Sequence, residues 1–66
     1  MKISTKRIKA ELANKKMACS ALAEKCRMSR QNLSAVLKRG TCSAVTAGKI
    51  AEALEINAIE FIEDDN

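Results

Sequence analysis

The chain has 66 residues, with 12 lysines and arginines, 8 aspartates and glutamates, and a formal net charge of +4. This length predicts one small domain over residues 1–66, with an acidic polar end at 63–66, and excludes a two-domain enzyme. Apolar residues make up 47% of the chain, but 11 of those 31 are alanine, so the core must be thin. The charge is divided unevenly, because residues 1–49 carry a net +10 and residues 50–66 a net −6. The basic part is therefore expected to attract a polyanion.

Cysteine spacing and hydropathy favour a protein with neither a metal site nor a membrane span. Cys19, Cys26 and Cys42 match no usual zinc pattern, and the chain has no histidine to complete a mixed site. We expect no metal and no cofactor, and free thiols in a reducing compartment, with Cys26 in the core and Cys42 the most exposed. No stretch is apolar enough for a signal peptide or approaches the roughly 18 residues of a membrane span. The chain is therefore expected to be soluble and cytoplasmic.

The spacing of apolar residues predicts helices along the whole chain, and hence an all-α fold. The first helix is predicted over residues 4–15, with Ser4 or Thr5 as its cap and a basic outer face. A short, alanine-rich second helix should follow from about Ala18 to Cys26. A third should begin after Ser29, a good N-cap, and run through about Lys38 until Gly40 ends it.

Two further helices are predicted after the loop at 41–43. The fourth helix should start at Ser43 or at Val45–Thr46 and contain Gly48. Glycine costs about 1 kcal/mol relative to alanine inside a helix, so we expect a close helix contact there, the alternative being a slightly weakened helix. Asn57 and Glu60 have the spacing of a capping box, which predicts a last short helix through Ile62.

The third helix divides into an apolar side and a polar front. At 100° per residue, the front spans about 140° and contains no acid. Its members are Arg30, Gln31, Ser34, Ala35 and Lys38. Arginine can donate two hydrogen bonds to guanine, glutamine can pair with adenine, and alanine can contact a thymine methyl group. The alternative is an ordinary solvated face. The Lys38-Arg39 pair and the short link between the second and third helices favour DNA readout.

The segments Leu22-Ala23-Glu24-Lys25, Met28-Ser29-Arg30-Gln31-Asn32-Leu33-Ser34, Lys38-Arg39-Gly40 and Lys49-Ile50-Ala51-Glu52-Ala53-Leu54 together resemble the Cro/phage-repressor (XRE-type) helix-turn-helix family. The similarity covers about residues 5–62. It implies a compact five-helix, lambda-repressor-like domain whose second and third helices form the helix-turn-helix. The recognition helix, at about 29–38, would lie in the major groove of double-stranded DNA.

The resemblance also implies a division of roles. Four residues would read bases: Arg30, Gln31, Ser34 and Ala35. Five would contact the DNA backbone: Ser20, Ser29, Lys38, Arg39 and Thr41. The chain departs from the family where Ala18 and Cys19 replace a serine cap and a glutamine, so the phosphate contact is expected at Ser20 or at backbone N–H groups. Arg27 stands where the family commonly has glycine, and it is expected to adopt the turn geometry, with a positive φ.

Relatives of this family usually act as dimers on paired half-sites, so we expect a homodimer that regulates transcription, as a repressor, by occupying its operator. Ile59, off the core stripe of the last helix, is the expected interface residue, the alternative being a lone exposed apolar residue. Nothing in the sequence indicates catalysis or a small-molecule effector. Two alternatives stay open: an antitoxin-like protein whose main partner is a toxin protein, and a thiol-based redox-sensing regulator that uses Cys19 or Cys42.

Overall fold

A computed structural model describes residues 1–63, so the last three residues of the predicted acidic end lie outside it. Four α-helices follow one another: α1 (Thr5–Asn14), α2 (Cys19–Lys25), α3 (Arg30–Arg39) and α4 (Ala44–Leu54). A single-turn 3₁₀ helix, Ala58–Glu60, comes after them. The all-α prediction is confirmed. The fifth predicted helix is shorter than expected, ending at Glu60 rather than Ile62.

Serine side chains cap the beginnings of three helices. The hydroxyl oxygens of Ser4, Ser29 and Ser43 accept hydrogen bonds from the backbone N–H three residues later, at 3.1, 3.0 and 3.2 Å. Each bond satisfies one of the N–H groups that a helix leaves unpaired at its start. Ala18, which precedes α2, makes no side-chain cap. The helix starts are therefore determined locally, and Ser43 is the correct choice for α4.

The core is made of aliphatic side chains from all four helices and one aromatic ring. Its six largest fully buried members are Ile8, Leu22, Leu33, Ile50, Leu54 and Phe61. The two ends of the described chain meet beside it. The backbone N–H of Ser4 donates to the Phe61 carbonyl at 2.6 Å, and Ile3 pairs with Ile62 in an isolated antiparallel bridge. These contacts bring Phe61 into the core although it lies near the end of the chain.

The capping box predicted at the last helix forms only by half. The Asn57 side chain accepts from the Ile59 N–H at 3.1 Å, as expected. The Glu60 carboxylate instead accepts a hydrogen bond from the Arg7 guanidinium at 2.9 Å, and Arg7 also lies 3.8 Å from Glu11. Glu60 thus links the 3₁₀ helix to α1 rather than stabilising its own helix start.

Among residues 1–63, Gly48 has no packing partner, so the close helix contact expected at this position is wrong within that part of the chain. A Cβ atom built at this position would meet nothing within 4 Å. We expect Gly48→Ala to raise the free energy of unfolding by about 1 kcal/mol, because it removes backbone freedom from the unfolded chain without a clash. Urea unfolding at low protein concentration measures the change. The reverse substitution Ala13→Gly, on the exposed side of α1, should lower stability by a similar amount, and an unchanged Gly48→Ala protein would contradict the argument.

Candidate nucleic-acid interface

The front of α3 is free of the core over its whole length. Arg30, Gln31, Ser34 and Ala35 are exposed, whereas the opposite side of the helix is buried. The buried residues are Leu33, Val36 and Leu37. The division predicted from helical periodicity is therefore confirmed, and the four side chains expected to read bases lie on one accessible surface.

Both ends of α3 are held by side chains or by backbone geometry. Ser29 caps its beginning, and Gly40 ends it in the left-handed conformation with φ of 73°. The Thr5 hydroxyl of α1 donates a hydrogen bond of 2.6 Å to the carbonyl of Leu37. That carbonyl belongs to the last turn, where helix acceptors lack partners within the helix. The polar front is therefore presented from a helix anchored to α1.

A groove of about 570 Å³ runs beside this front, between α1, the start of α2, and α3. Its walls are Thr5, Lys9, Cys19, Arg30, Gln31, Ser34, Leu37 and Lys38. Three of these residues are cationic, and none is acidic. Lys9, Arg30 and Lys38 form no ion pair among residues 1–63. An open groove lined by three unpaired cations and by the polar side chains of Gln31 and Ser34 suits a polyanion that also presents hydrogen-bonding edges.

Sequence reasoning missed part of this groove. The sequence predicts that α1 has a basic outer face, and Lys9 belongs to that face. It does not predict that Lys9 lies beside α3, because that proximity depends on how the helices pack. Ala35, predicted to read bases, is exposed but does not line the groove. A helical projection of α1 could have identified Lys9, because it lies one turn after Thr5 and therefore on the same side of the helix. Thr5 is the residue that bonds to α3.

The residues expected to contact the DNA backbone are spread around the groove. Ser20, Arg39 and Thr41 are exposed outside its walls, and Lys38 is part of them. Ser29 lies at the start of α3 with its hydroxyl oxygen engaged in the cap. The turn before α3 has the predicted geometry, because Arg27 adopts a left-handed conformation with φ of 58°.

The cysteines occupy three different environments. Cys26 is buried, as predicted, and burial raises the pKa of its thiol, an effect partly offset by the charge of Lys49. The prediction that Cys42 is the most exposed is wrong. Cys42 is half-buried against the core, whereas Cys19 is exposed at the start of α2. Exposure depends here on the packing of the loop at 41–43, which the amino acid types did not reveal.

The comparisons with known proteins agree with a DNA-binding surface. A family model described as winged helix-turn-helix DNA-binding matches residues 3–62. No curated protein and no solved structure matches the chain. Within residues 1–63, β-pairing is limited to two isolated bridges, Lys2 with Thr41 and Ile3 with Ile62. No helix of the described residues is long and apolar enough to cross a bilayer.

Proposed function

The chain belongs to the winged helix-turn-helix family of DNA-binding proteins, and on that premise we propose that it is a sequence-specific regulator of transcription that reads double-stranded DNA with α3. The observation that carries this proposal is the acid-free groove beside α3. Its cations attract phosphates, and its Arg30 and Gln31 side chains match the hydrogen-bonding edges of guanine and adenine.

In the proposed complex, two kinds of contact have different tasks. Lys9 of α1 and Lys38 of α3, which both line the groove, neutralise phosphates and set the position of α3. Arg30, Gln31 and Ser34 reach the base edges in the major groove, and Ala35 offers a methyl group to thymine. Ser20, Arg39 and Thr41 add contacts to the backbone. The regulator acts as a Cro/XRE-type repressor by occupying its operator, without catalysis, a cofactor or a small-molecule effector.

Selection of bound fragments from random double-stranded DNA tests this function. A regulator of the proposed kind enriches a short motif, and affinity for that motif exceeds affinity for random DNA by about 10³-fold or more. Fluorescence anisotropy with the enriched motif and with a scrambled duplex of the same length measures the ratio. Equal affinity for both duplexes would contradict sequence-specific readout, and no binding to either would contradict the DNA-binding function itself.

Lys38→Ala and Arg39→Ala should weaken binding to the enriched and the scrambled duplex alike. Removing one phosphate contact also makes the dependence of log K on log salt concentration shallower by about 0.9. Anisotropy titrations at a series of salt concentrations provide both numbers. Lys16→Ala is the matched control, because Lys16 is an exposed lysine that neither lines the groove nor belongs to α3. A weakening confined to the enriched duplex would instead make these residues base readers.

The proposed regulator is a homodimer, since one recognition helix covers only a half-site and half-sites in such operators lie about one helical turn apart. The part of the chain after α3 remains available for self-association, because every residue that lines the groove beside α3 belongs to α1, α2 or α3. Ile59 is 74% exposed on the 3₁₀ helix, and we assign it to the interface.

A second candidate function, a thiol-based redox-sensing regulator, is favoured by the position of Cys19. This exposed thiol lies in the wall of the groove that would hold DNA. A mixed disulfide with glutathione, formed as the thiolate displaces one thiol from glutathione disulfide, would place a bulky anionic group there. DNA affinity should then fall on treatment with glutathione disulfide and recover with a reductant. The effect should vanish in Cys19→Ser and persist in Cys42→Ser, and unchanged affinity of the treated protein would eliminate this candidate.

A further inference from the structure

The Thr5 hydroxyl joins the beginning of α1 to the end of α3. It donates its hydrogen bond to the carbonyl of Leu37, 32 positions away in the sequence, at 2.6 Å. The carbonyl of Val36, one residue earlier, is satisfied by the N–H of Gly40 at 2.9 Å. Among residues 1–63, Thr5 therefore supplies the one hydrogen bond between α1 and α3.

Few other contacts fix how α1 and α3 lie relative to each other. α3 approaches α2 closely but α1 at few points. The Thr5 side chain is half-buried, the Leu37 side chain is buried, and the bond between the two residues is partly shielded from water. A hydrogen bond weakens steeply when its length or angle changes. This bond therefore restricts both the distance and the tilt between the two helices.

The segment before α1 holds the loop after α3 in place. The backbone N–H of Ile3 donates to the Gly40 carbonyl at 2.9 Å, and Lys2 forms an isolated antiparallel bridge with Thr41. These contacts use backbone atoms and reach only the residues that follow α3. Thr5 is the residue whose side chain extends the connection into the helix itself.

The Thr5 bond also connects the cations on the two sides of the groove beside α3. Lys9 lies one turn after Thr5, about 6 Å farther along α1, and therefore on the same side of that helix. Lys38 directly follows Leu37 in α3, and Arg30 lies at the start of α3. Thr5, Lys9, Arg30 and Lys38 all line the groove. One hydrogen bond thus links the helix that carries Lys9 to the helix that carries the front.

We propose that Thr5 is a positioning residue for DNA readout, whose hydroxyl fixes the spacing between Lys9 and the base-reading residues of α3. This inference rests on the proposed function and adds a residue to its mechanism. Phosphate contacts set the position of a protein on the duplex, and a binding group must be held within about 0.5 Å of its productive geometry. A phosphate bound at Lys9 aligns the front of α3 with the base edges only while α1 and α3 keep their spacing.

The first test removes the hydroxyl and keeps the shape of the side chain. Thr5→Val should lower the ratio of the affinities for the enriched and the scrambled duplex by about tenfold, because α3 loses its alignment while the cations of the groove remain. Affinity for the scrambled duplex should stay within about twofold. Thr5→Ser keeps the hydroxyl and should preserve the ratio within about twofold. Fluorescence anisotropy at one salt concentration measures all these affinities.

Thr46→Val is the matched control. Thr46 is a half-buried threonine in the first turn of α4, outside the groove, and its hydroxyl oxygen accepts a hydrogen bond from the Ser43 hydroxyl at 3.1 Å. This substitution removes a hydroxyl from a helix start without affecting α3, so the affinity ratio should be that of the parent. Circular dichroism and urea unfolding confirm that each variant is folded. A lower urea midpoint of Thr5→Val with the parent's affinity ratio would mean that Thr5 only stabilises the fold.

The second test does not depend on the folding of a Thr5 variant. In the parent protein, the losses caused by Lys9→Ala and Arg30→Ala on the enriched duplex should be coupled. The double variant should lose at least about threefold less affinity than the product of the two single losses, because a domain without its phosphate contact already misplaces Arg30. In the Thr5→Val background the two losses should multiply, since the helices no longer keep a fixed spacing.

The outcomes distinguish this proposal from the proposed function. A reduced ratio in Thr5→Val, restored in Thr5→Ser, supports the positioning role, as do coupled losses of Lys9→Ala and Arg30→Ala. A parent protein that prefers the motif, with the same preference in Thr5→Val, overturns the positioning role alone. Equal losses of Thr5→Val on both duplexes overturn it by making Thr5 a direct phosphate contact, and losses that multiply in the parent overturn it as well. A parent protein without sequence preference contradicts both proposals.

Discussion

Arg30→Ala and Gln31→Ala should each weaken binding to the enriched motif by about 1–3 kcal/mol and relax base preference at one or two positions. Both side chains are exposed in the wall of the acid-free groove, at the beginning of a helix anchored by Ser29 and Thr5. In the proposed complex, truncating either side chain would remove a pair of hydrogen bonds and leave the base edge without its partner. Competition titrations against every single-base variant of the motif measure the weakening and locate it.

The controls for this prediction lie on the same helix. Asn32→Ala removes a similar amide from an exposed residue outside the groove, and Arg39→Ala removes the same guanidinium from the last turn. Asn32→Ala should leave affinity and preference unchanged, whereas Arg39→Ala should lower affinity for all sequences without changing base preference. If Arg30→Ala and Gln31→Ala reduced binding to the motif and to the scrambled duplex by the same factor, they would be phosphate contacts and not readers.

Phe61→Ala should remove a large part of the free energy of unfolding at 25 °C. The ring is 1% exposed and is the only aromatic side chain of the chain, so its removal leaves a cavity costing about 3–5 kcal/mol. A domain of this size has a total stability of only about 3–10 kcal/mol, at roughly 0.05–0.15 kcal/mol per residue. The cost is therefore at least about a third of the free energy of unfolding. Urea unfolding followed by far-ultraviolet circular dichroism measures it.

Ile59→Ala is the matched control for the core prediction. This residue lies two positions from Phe61 and is 74% exposed, so at concentrations where the chain is monomeric its truncation should change stability by less than about 0.5 kcal/mol. A Phe61→Ala protein with the parent's urea midpoint would show that the core closes without the ring. Such a result would contradict the view that this thin, alanine-rich core depends on its few large side chains.

Helix boundaries and the polar front of α3 were predictable because they depend on nearby residues. Ser29 caps a helix through an N–H three residues away, and Gly40 ends it because glycine accepts positive φ. The apolar spacing of Leu33, Val36 and Leu37 determines which side of α3 is buried. The resemblance added the roles of Arg30 and Gln31, which the family match supports only as far as DNA binding.

The predictions that proved wrong concern contacts between residues that are far apart in the sequence. Glu60 was expected to cap its own helix, but Arg7, 53 positions away, binds its carboxylate at 2.9 Å. Gly48 was expected to allow a contact within the chain and faces open space. Cys42 was expected to be the most exposed cysteine, but it is half-buried against the core, and Cys19 is the exposed one.

By itself, the sequence determined the class of the fold, the helix starts and the division of charge, because caps and helical periodicity act over three or four residues. Only the tertiary structure decided that Lys9 of α1 shares a groove with Arg30 and Lys38, since that proximity requires α1 and α3 to pack around the same core. It also showed that, within residues 1–63, nothing packs against α4 at Gly48. All three cations of that groove come from the +10 part of the chain, and the −6 part contributes no residue to it.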